Sequence, residues 1–490
     1  MSTLETGWAR TAGDGSVWTQ RDQIQAYQFL RRRLVSALVS ADANHPVAPS
    51  RRLVIGTLCG LGVALLVTAV FGVIGLLNPS GGKDWLAGGK VIVEEGTGAR
   101  YILGQDGALH PVLNYASARL MAGGNGEATV TVPSDKLAKA PRGSQIGIPG
   151  APDSLPAAAA LVKTPWTSCS RTTQDAPASA EPETTVLLGA PAAGVDLPKD
   201  QAVVVRVPEG ERYLVTAGRR YKLTSEAATA LQFDTYPAIA VSSRWIGTVA
   251  AGRDLAYRAV DDAGRSGPKV GGTATKVGSV LGVVDAMASP GDATSYYLVH
   301  SDGLEPIGQT EASLLINTPQ NADAYTGVPA PVAVRAADVA AVAKVGTARA
   351  GGADPAEYPD RIPRKAPVTG QSVTLCAQGS RIVISAQVPL PQGAKAIPVT
   401  ARTDALVADA VFVPPSGGAV VAESGSGTVY VVTDTGQKYP VAGSEALASL
   451  GYGQAERQPV PNGLLALVPR GPALDPAQAG RAVSAAGGTG

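Results

Sequence analysis

Three cysteines and three histidines in 490 residues leave little material for metal or thiol chemistry. His45, His110 and His300 are scattered, and no H-x-x-x-H or C-x-x-C spacing occurs, which removes the common zinc signatures. There is no G-x-x-x-x-G-K-[ST] string, hence no phosphate-cradling P-loop, and neither a complete G-x-G-x-x-G nor a G-x-S-x-G elbow. No catalytic set, metal site or cofactor is expected. Acid pairs such as Asp261-Asp262 read as solvated loop residues. The formal net charge is only +1 and no basic stripe stands out. That argues against nucleic acid as a partner, because phosphate binding needs a positive footprint. Aromatics make up 5% of the chain, against 58 Gly and 37 Pro, so many turns and short elements are expected. Long hydrophobic runs are missing too, with one exception.

The exception is Leu53 to Leu77, which carries no charge. A helix rises about 1.5 Å per residue, so this run can cross a hydrocarbon core of roughly 30 Å with some tilt. The residues before it hold seven Arg against four acids, and Arg51 and Arg52 touch its start. The residues after it hold 34 basic against 36 acidic side chains. The Arg bias makes Arg51 and Arg52 topology determinants and puts the N-terminus in the cytoplasm, with the large remainder outside. A cleaved signal peptide fits poorly, since the run starts late and is too long. Cys59 lies inside the run and reads as a small apolar residue. Cys169 and Cys376 are the two cysteines of the outer part, and an oxidising compartment suggests a disulfide between them. Two reduced, buried thiols are the alternative.

Arg21 to Ala43 reads as an amphipathic helix. Ile24, Tyr27, Leu30, Leu34 and Leu38 recur at helical spacing, while Arg31, Arg32 and Arg33 supply positive charge. Thr19 and Asp22 are spaced for a capping arrangement. Such a helix can lie on anionic lipid or dock on a partner's cytosolic domain. A segment this short buries little core alone, which favours docking.

The outer part repeats itself. Four segments share a β-rich run with Tyr, a Gly turn, an apolar step and a helical stretch. They start at Tyr101, Tyr213, Tyr297 and Tyr430, turn at Gly107, Gly218, Gly303 and Gly436, and close at Leu120, Leu231, Leu315 and Leu450. Gly tolerates the φ > 0 of a hairpin turn, and Asn114, Ser225, Thr310 or Ser444 is placed to cap the helix that follows. These signals predict an α+β chain: one N-terminal transmembrane helix, then a β-rich extracytoplasmic domain with a central core and four ββα-type repeats. The expected organisation is a cytosolic arm (1–52), a transmembrane helix (53–77) and repeat 1 (88–124), then a core segment (125–200). Repeat 2 (201–236), a core segment (237–293) and repeat 3 (294–318) follow. A core segment with an Ala/Pro-rich loop (319–426), repeat 4 (427–455) and a C-terminal segment with a disordered tail (456–490) complete the chain.

The string Thr19-Gln-Arg-Asp-Gln-Ile-Gln-Ala-Tyr-Gln-Phe-Leu-Arg-Arg-Arg-Leu-Val-Ser-Ala-Leu-Val39 ahead of one membrane helix resembles the start of EccB, the B component of type VII (ESX) secretion machinery. The four repeats and the lone cysteine pair are also similar, and the resemblance covers nearly the whole chain. It implies a structural membrane subunit of a protein-secretion channel with an elongated outer domain. The implied partners are a C-type FtsK/SpoIIIE ATPase, the D and E membrane components, and further copies of the chain in a higher oligomer. It also implies that Cys169 and Cys376 are the family's disulfide pair and that Arg21 to Val39 is the cytosolic docking helix. Family repeats are likened to wall-binding modules, so a membrane-anchored peptidoglycan-binding protein is the second reading. It would use Tyr101, Tyr213, Tyr297 and Tyr430 as sugar platforms. An extracytoplasmic nucleotide hydrolase is the third.

Overall fold

The computed structural model describes residues 19–40, 49–77, 83–124, 129–172, 181–284, 293–346, 357–368, 372–400 and 404–483. The chain divides into two compact units, Met1–Gly82 and Lys83–Gly490. The first unit holds two helices, α1 (Gln20–Ser40) and α2 (Pro49–Leu77). Asp22 accepts from the Thr19 hydroxyl at 2.6 Å and from the Thr19 backbone N–H at 3.2 Å, which fixes the start of α1. Within α2, Val54–Val73 is long and apolar enough to cross a membrane. Its two hydroxyls are satisfied internally: Thr57 donates to the Val54 carbonyl and Thr68 to the Ala64 carbonyl. His45 and the end of the predicted helix at Ala43 lie outside the described residues.

The described residues of the second unit form five sheets. Module 1 has strands β1 (Val91–Glu94), β2 (Arg100–Leu103), β3 (Leu109–Pro111) and β4 (Thr129–Val132), with helices α3 (Tyr115–Ala122) and α4 (Ser134–Leu137). Its strand order is β3-β2-β1-β4. The first three strands are antiparallel, and β4 returns beside β1 in parallel, the crossover being α3. Strands β5 (Trp166–Thr172), β6 (Glu183–Leu188) and β7 (Val195–Asp196) follow. Module 2 repeats the plan with β8 (Gln201–Arg206), β9 (Arg212–Thr216), β10 (Arg219–Lys222), α5 (Ser225–Ala230), β11 (Ala238–Ala240), α6 (Ser243–Ile246) and β12 (Ala250–Ala251). Module 3 does so with β13 (Val280–Val284), β14 (Ala293–Val299), β15 (Leu304–Ile307), α7 (Gln309–Asn317), β16 (Val332–Val334) and α8 (Ala336–Ala340). Then come β17 (Arg364–Lys365), β18 (Val373–Gln378), β19 (Arg381–Ser385), β20 (Ile397–Pro398) and β21 (Ala410–Phe412). Module 4 has β22 (Gly418–Glu423), β23 (Val429–Thr433), β24 (Lys438–Pro440), α9 (Gly443–Ser449), β25 (Gln458–Val460) and α10 (Asn462–Ala466), and α11 (Pro476–Ala479) ends the described chain.

The central sheet runs β20-β21-β6-β5-β18-β19-β7. Its middle pair, β5 and β18, is antiparallel and sets Cys169 opposite Cys376. The two form a disulfide and are fully buried among Leu187, Val383 and Phe412. Each half of the chain therefore reads module, antiparallel hairpin, module, and the hairpins meet at the disulfide. Helix α3 of module 1 packs on α9 of module 4, and α5 of module 2 packs on α7 of module 3. A two-fold exchange of the halves maps one of these contacts onto the other. Arg244 on α6 ties module 2 to the core, pairing with Glu181 at 3.0 Å and Asp409 at 3.4 Å from a side chain 6% exposed.

Several expected limits move. The repeats are larger than ββα, because each sheet takes an additional first strand and a parallel fourth strand. The expected repeats 3 and 4, starting at 294 and 427, omit β13 and β22, and all four stop before the parallel strand. The described residues of 237–293, a range expected as core, place no strand in the central sheet; β11 and β12 belong to module 2 and β13 to module 3. Residues 456–490 supply β25, α10 and α11, and Leu474 and Ala479 are fully buried against module 1 and module 4 side chains. Apolar burial orders this segment as far as Val483, and the rest of the expected tail lies outside the described residues. The disulfide closes a separation of 207 residues, for which the chain-entropy model gives on the order of 5 kcal/mol. Replacing Cys169 and Cys376 together by Ala should lower unfolding stability by about 2–5 kcal/mol in denaturant titrations. A thiol-reactive mass tag should reach both cysteines only after reduction of unfolded protein; labelling without reductant counts against the bond.

Candidate functional site

Among the described residues no three His, Cys, Asp or Glu side chains gather as metal ligands. The two described histidines are partly buried and tied to carboxylates. His110 Nδ1 lies 2.9 Å from the Ser144 carbonyl and Nε2 3.1 Å from Asp106. His300 Nε2 lies 2.8 Å from Glu305. A Cβ on Gly143 would come within 2.3 Å of the His110 ring, so only glycine lets that backbone pass. The same approach recurs at Gly252 over Tyr221 and at Gly471 over Tyr439. In each module the chain leaving the second short helix folds back along the third strand.

A second device recurs four times. Each repeat tyrosine lies under a cation: Arg142 over Tyr101 at 4.6 Å, Arg220 over Tyr213 at 5.5 Å, Lys344 over Tyr297 at 5.2 Å, Lys438 over Tyr430 at 5.7 Å. Three of the cations also donate to carbonyls just after or in the last turn of the second short helix. Arg220 Nε donates to the Val249 carbonyl at 3.0 Å, Lys344 to those of Val339 and Val342, and Lys438 to that of Leu465 at 2.5 Å. Cations suit this end of a helix. Burial pushes the Lys438 ammonium down to about 8. Tyr101 and Tyr430 are buried, and all four ring faces meet a cation, so these tyrosines are joints within the modules. Sequence reasoning found the tyrosines and missed the cations, which come from β10, β24 and the segments after α4 and α8.

The helix caps also differ from expectation. Asn114 does cap α3, accepting from the Ser117 N–H at 3.0 Å. The cap of α5 is Thr224, one residue before Ser225. Helices α7 and α9 begin earlier, after Gly308 and Ala442, which leaves Thr310 and Ser444 inside the first turn.

The N-terminal unit offers the broad unpartnered surface. Ile24, Tyr27, Leu30, Leu34 and Leu38 of α1 are 57%, 69%, 61%, 62% and 82% exposed. At 100° per residue they fall on a stripe about 120° wide. Arg31 falls on the same stripe, whereas Arg32 and Arg33 lie off it. Arg33 instead sits over the Phe29 ring at 5.3 Å, on the opposite side of the helix. Arg51 and Arg52 fall in the first turn of α2, their side chains outside the described set. Gly56 and Gly60 of α2 face open space.

Comparison with known proteins adds to this geometry. The family model described as "Type VII secretion system ESX-1, transport TM domain B" matches residues 16–486. A relative named ESX-3 secretion system ATPase EccB3, from Mycolicibacterium smegmatis, is 30% identical over 488 residues, covering 93% of this chain and 89% of that protein. A chain in the structure of an intact ESX-5 inner membrane complex is similar at a TM-score of 0.63 and 25% identity, covering 96% of this chain and 97% of that one. A chain in the structure of an EccB3 dimer from the ESX-3 core complex is similar at a TM-score of 0.62 and 26% identity, covering 80% of this chain and all of that one.

The cation-on-tyrosine joint is testable in module 4. Lys438 titrates near 8 when folded and near 10.5 when unfolded. Between these values the unfolded chain binds more protons, so the Lys438 contribution to stability rises with pH from about 8 to about 10.5. Thermal melts from pH 7 to 10 should show wild type gaining on a Lys438→Met variant across that window. A constant difference between the two removes the buried ammonium from the account.

Proposed function

The chain belongs to the EccB family of type VII secretion membrane components and is a structural subunit of such a system; from that premise we propose how its parts divide the work. Helix α2 crosses the membrane with its N-terminus in the cytoplasm, directed by Arg51 and Arg52. Helix α1 docks on the cytosolic domain of a partner through Ile24, Tyr27, Leu30, Leu34 and Leu38, with Arg31 meeting an acid at the centre of the stripe. The unit from Lys83 onward stands outside the membrane and associates with further copies. The partners are a C-type FtsK/SpoIIIE ATPase and the D and E membrane components.

One observation carries this reading. A helix with a stripe of five large apolar side chains, each more than half exposed, stands ahead of a charge-free span, in a segment too short to fold over them. Assembly supplies what would cover them. Relatives bear ATPase in their names, but this sequence holds no P-loop string, and we assign nucleotide hydrolysis to the C-type partner.

Affinity purification from detergent-solubilised membranes of the native host tests the docking. Wild type should bring down a complex containing the ATPase and multi-pass components. Leu30→Asp with Leu34→Asp should reduce that recovery about ten-fold or more, equivalent to at least about 1.4 kcal/mol, while Phe29→Asp should not. Equal loss from all of these changes would point to helix stability and not to the stripe. For orientation, protease added to wall-stripped cells should digest the unit after Lys83 and spare the first 50 residues or so; the reverse pattern defeats the proposed topology.

A further inference from the structure

Module 3 carries an apolar segment that is largely exposed among the described residues. Between Tyr325 and Val334 the chain has no charged residue and holds Pro329 and Pro331. Val328 is 91% exposed and Val332 39%. Both ends are held. The Tyr325 hydroxyl accepts from the Val280 N–H at 3.1 Å, and β16 pairs with β13. The chain bends at Gly327, whose φ is +88°. Beyond it, two prolines in a short run favour an extended left-handed conformation with little entropy left to lose on binding. The five residues Val328 to Val332 would reach about 15 Å in that form.

Elsewhere in the same unit lies a groove of about 670 Å³ between module 2, module 4 and the central sheet. Pro165, Trp166, Pro459, Pro461 and Leu464 contribute its apolar lining, with Ala250 on the module 2 side. Proline and aromatic walls suit an extended proline-bearing segment. Arg220 is the single charged residue of the lining, and its guanidinium is engaged by the Tyr213 ring and the Val249 carbonyl. A basic peptide would meet that like charge, and an acidic one would compete with the Tyr213 ring for it. A neutral occupant meets neither cost, and the Thr326–Val332 segment is neutral.

We propose that Thr326–Val332 of one copy seats in the groove between modules 2 and 4 of a second copy. This deepens the proposed self-association and rests on it. The choice of a second copy follows from the size of the contact. A seven-residue segment in a groove buries well under the roughly 1,000 Å² that a stable free-standing interface needs. Such a contact is populated when both partners are already held in one assembly, where effective concentrations reach about the millimolar range. A freely diffusing peptide lacks that advantage. The contact joins two different surfaces, so it propagates from copy to copy and closes only in a ring or as a reciprocal pair.

Cysteine cross-linking between two differently tagged full-length copies in native membranes tests this, with Cys59 replaced by Ser in both. One copy carries Val328→Cys and the other Ala250→Cys, at the groove. The control pairs Val328→Cys with Val195→Cys, another exposed site, 71% exposed at the edge of the central sheet. Mild oxidation should give a mixed disulfide at a yield about five-fold or more above the control, as expected where proximity raises effective concentration. Adding Val332→Asp to the Val328→Cys copy should remove that excess. A yield no higher than the control overturns the proposal, and so does a Val328→Cys adduct whose mass identifies a different protein. Co-purification of the two tags without oxidation is read in parallel. Tags that travel together without the cross-link overturn the segment-in-groove contact and leave self-association standing. Tags that do not travel together overturn both.

Discussion

The antiparallel pairing of β5 with β18 is the constraint on which the outer unit depends. It brings segments 207 residues apart side by side and locks them with Cys169 opposite Cys376. A loop of that length carries a large closure entropy, so the pairing is costly to form and correspondingly valuable once covalent. Strands β6 and β19 flank the pair, β21 and β7 join them from the opposite half of the chain, and β20 lies outside β21. Neither half can leave without opening the centre. The sulfur atoms lie in a fully buried cluster with Leu187, Val383 and Phe412, out of reach of solvent.

Around this centre the modules solve one problem four times. A sheet of four short strands, or six in module 2, with short helices has too little core to stand alone. Each module therefore leans on another: α3 on α9, α5 on α7. Each also pins its second helix to its own sheet with a cation over a tyrosine. The cation alternates in origin. Modules 2 and 4 take it from the third strand, as Arg220 and Lys438; modules 1 and 3 take it from the chain after the second helix, as Arg142 and Lys344. An independent fourfold repeat has no reason to alternate. Alternation with a period of two is what copying a two-module unit produces, and the exchange of helix contacts between the halves agrees.

What could be read from the sequence was local. The charge-free run, the amphipathic stripe and the Tyr–Gly hairpins depend on residues a few positions apart, and all three lie on the elements they suggested. What escaped was non-local or too short to show a period. The parallel fourth strands are three or four residues long, and β25 contains Pro459. Their pairing partner lies a helix away, so nothing in their own composition marks them. The partners of Tyr101 and Tyr297 lie about 40 residues downstream, beyond any motif window. Thr224 was passed over for Ser225 because adjacent residues of equal capping power cannot be ranked without the backbone.

The titrating groups show how the chemistry of this chain is distributed. An active site gathers perturbed groups in one cleft, since catalysis needs them to act on one reacting centre. Here the perturbed groups are spread over all four modules, and burial is the first cause in each of the following. The Lys438 ammonium is engaged by a helix carbonyl, and the Lys344 ammonium, also lowered, by two. The Tyr452 hydroxyl, raised by burial, donates to the Pro156 carbonyl at 2.6 Å. The Tyr236 hydroxyl, also raised, donates to the Ala366 carbonyl at 2.6 Å. The Lys438, Tyr452 and Tyr236 shifts each mark a place where two segments distant in sequence are fastened. A fold that uses its unusual side chains as fasteners, and leaves its large apolar side chains uncovered on α1, is organised to hold position within an assembly.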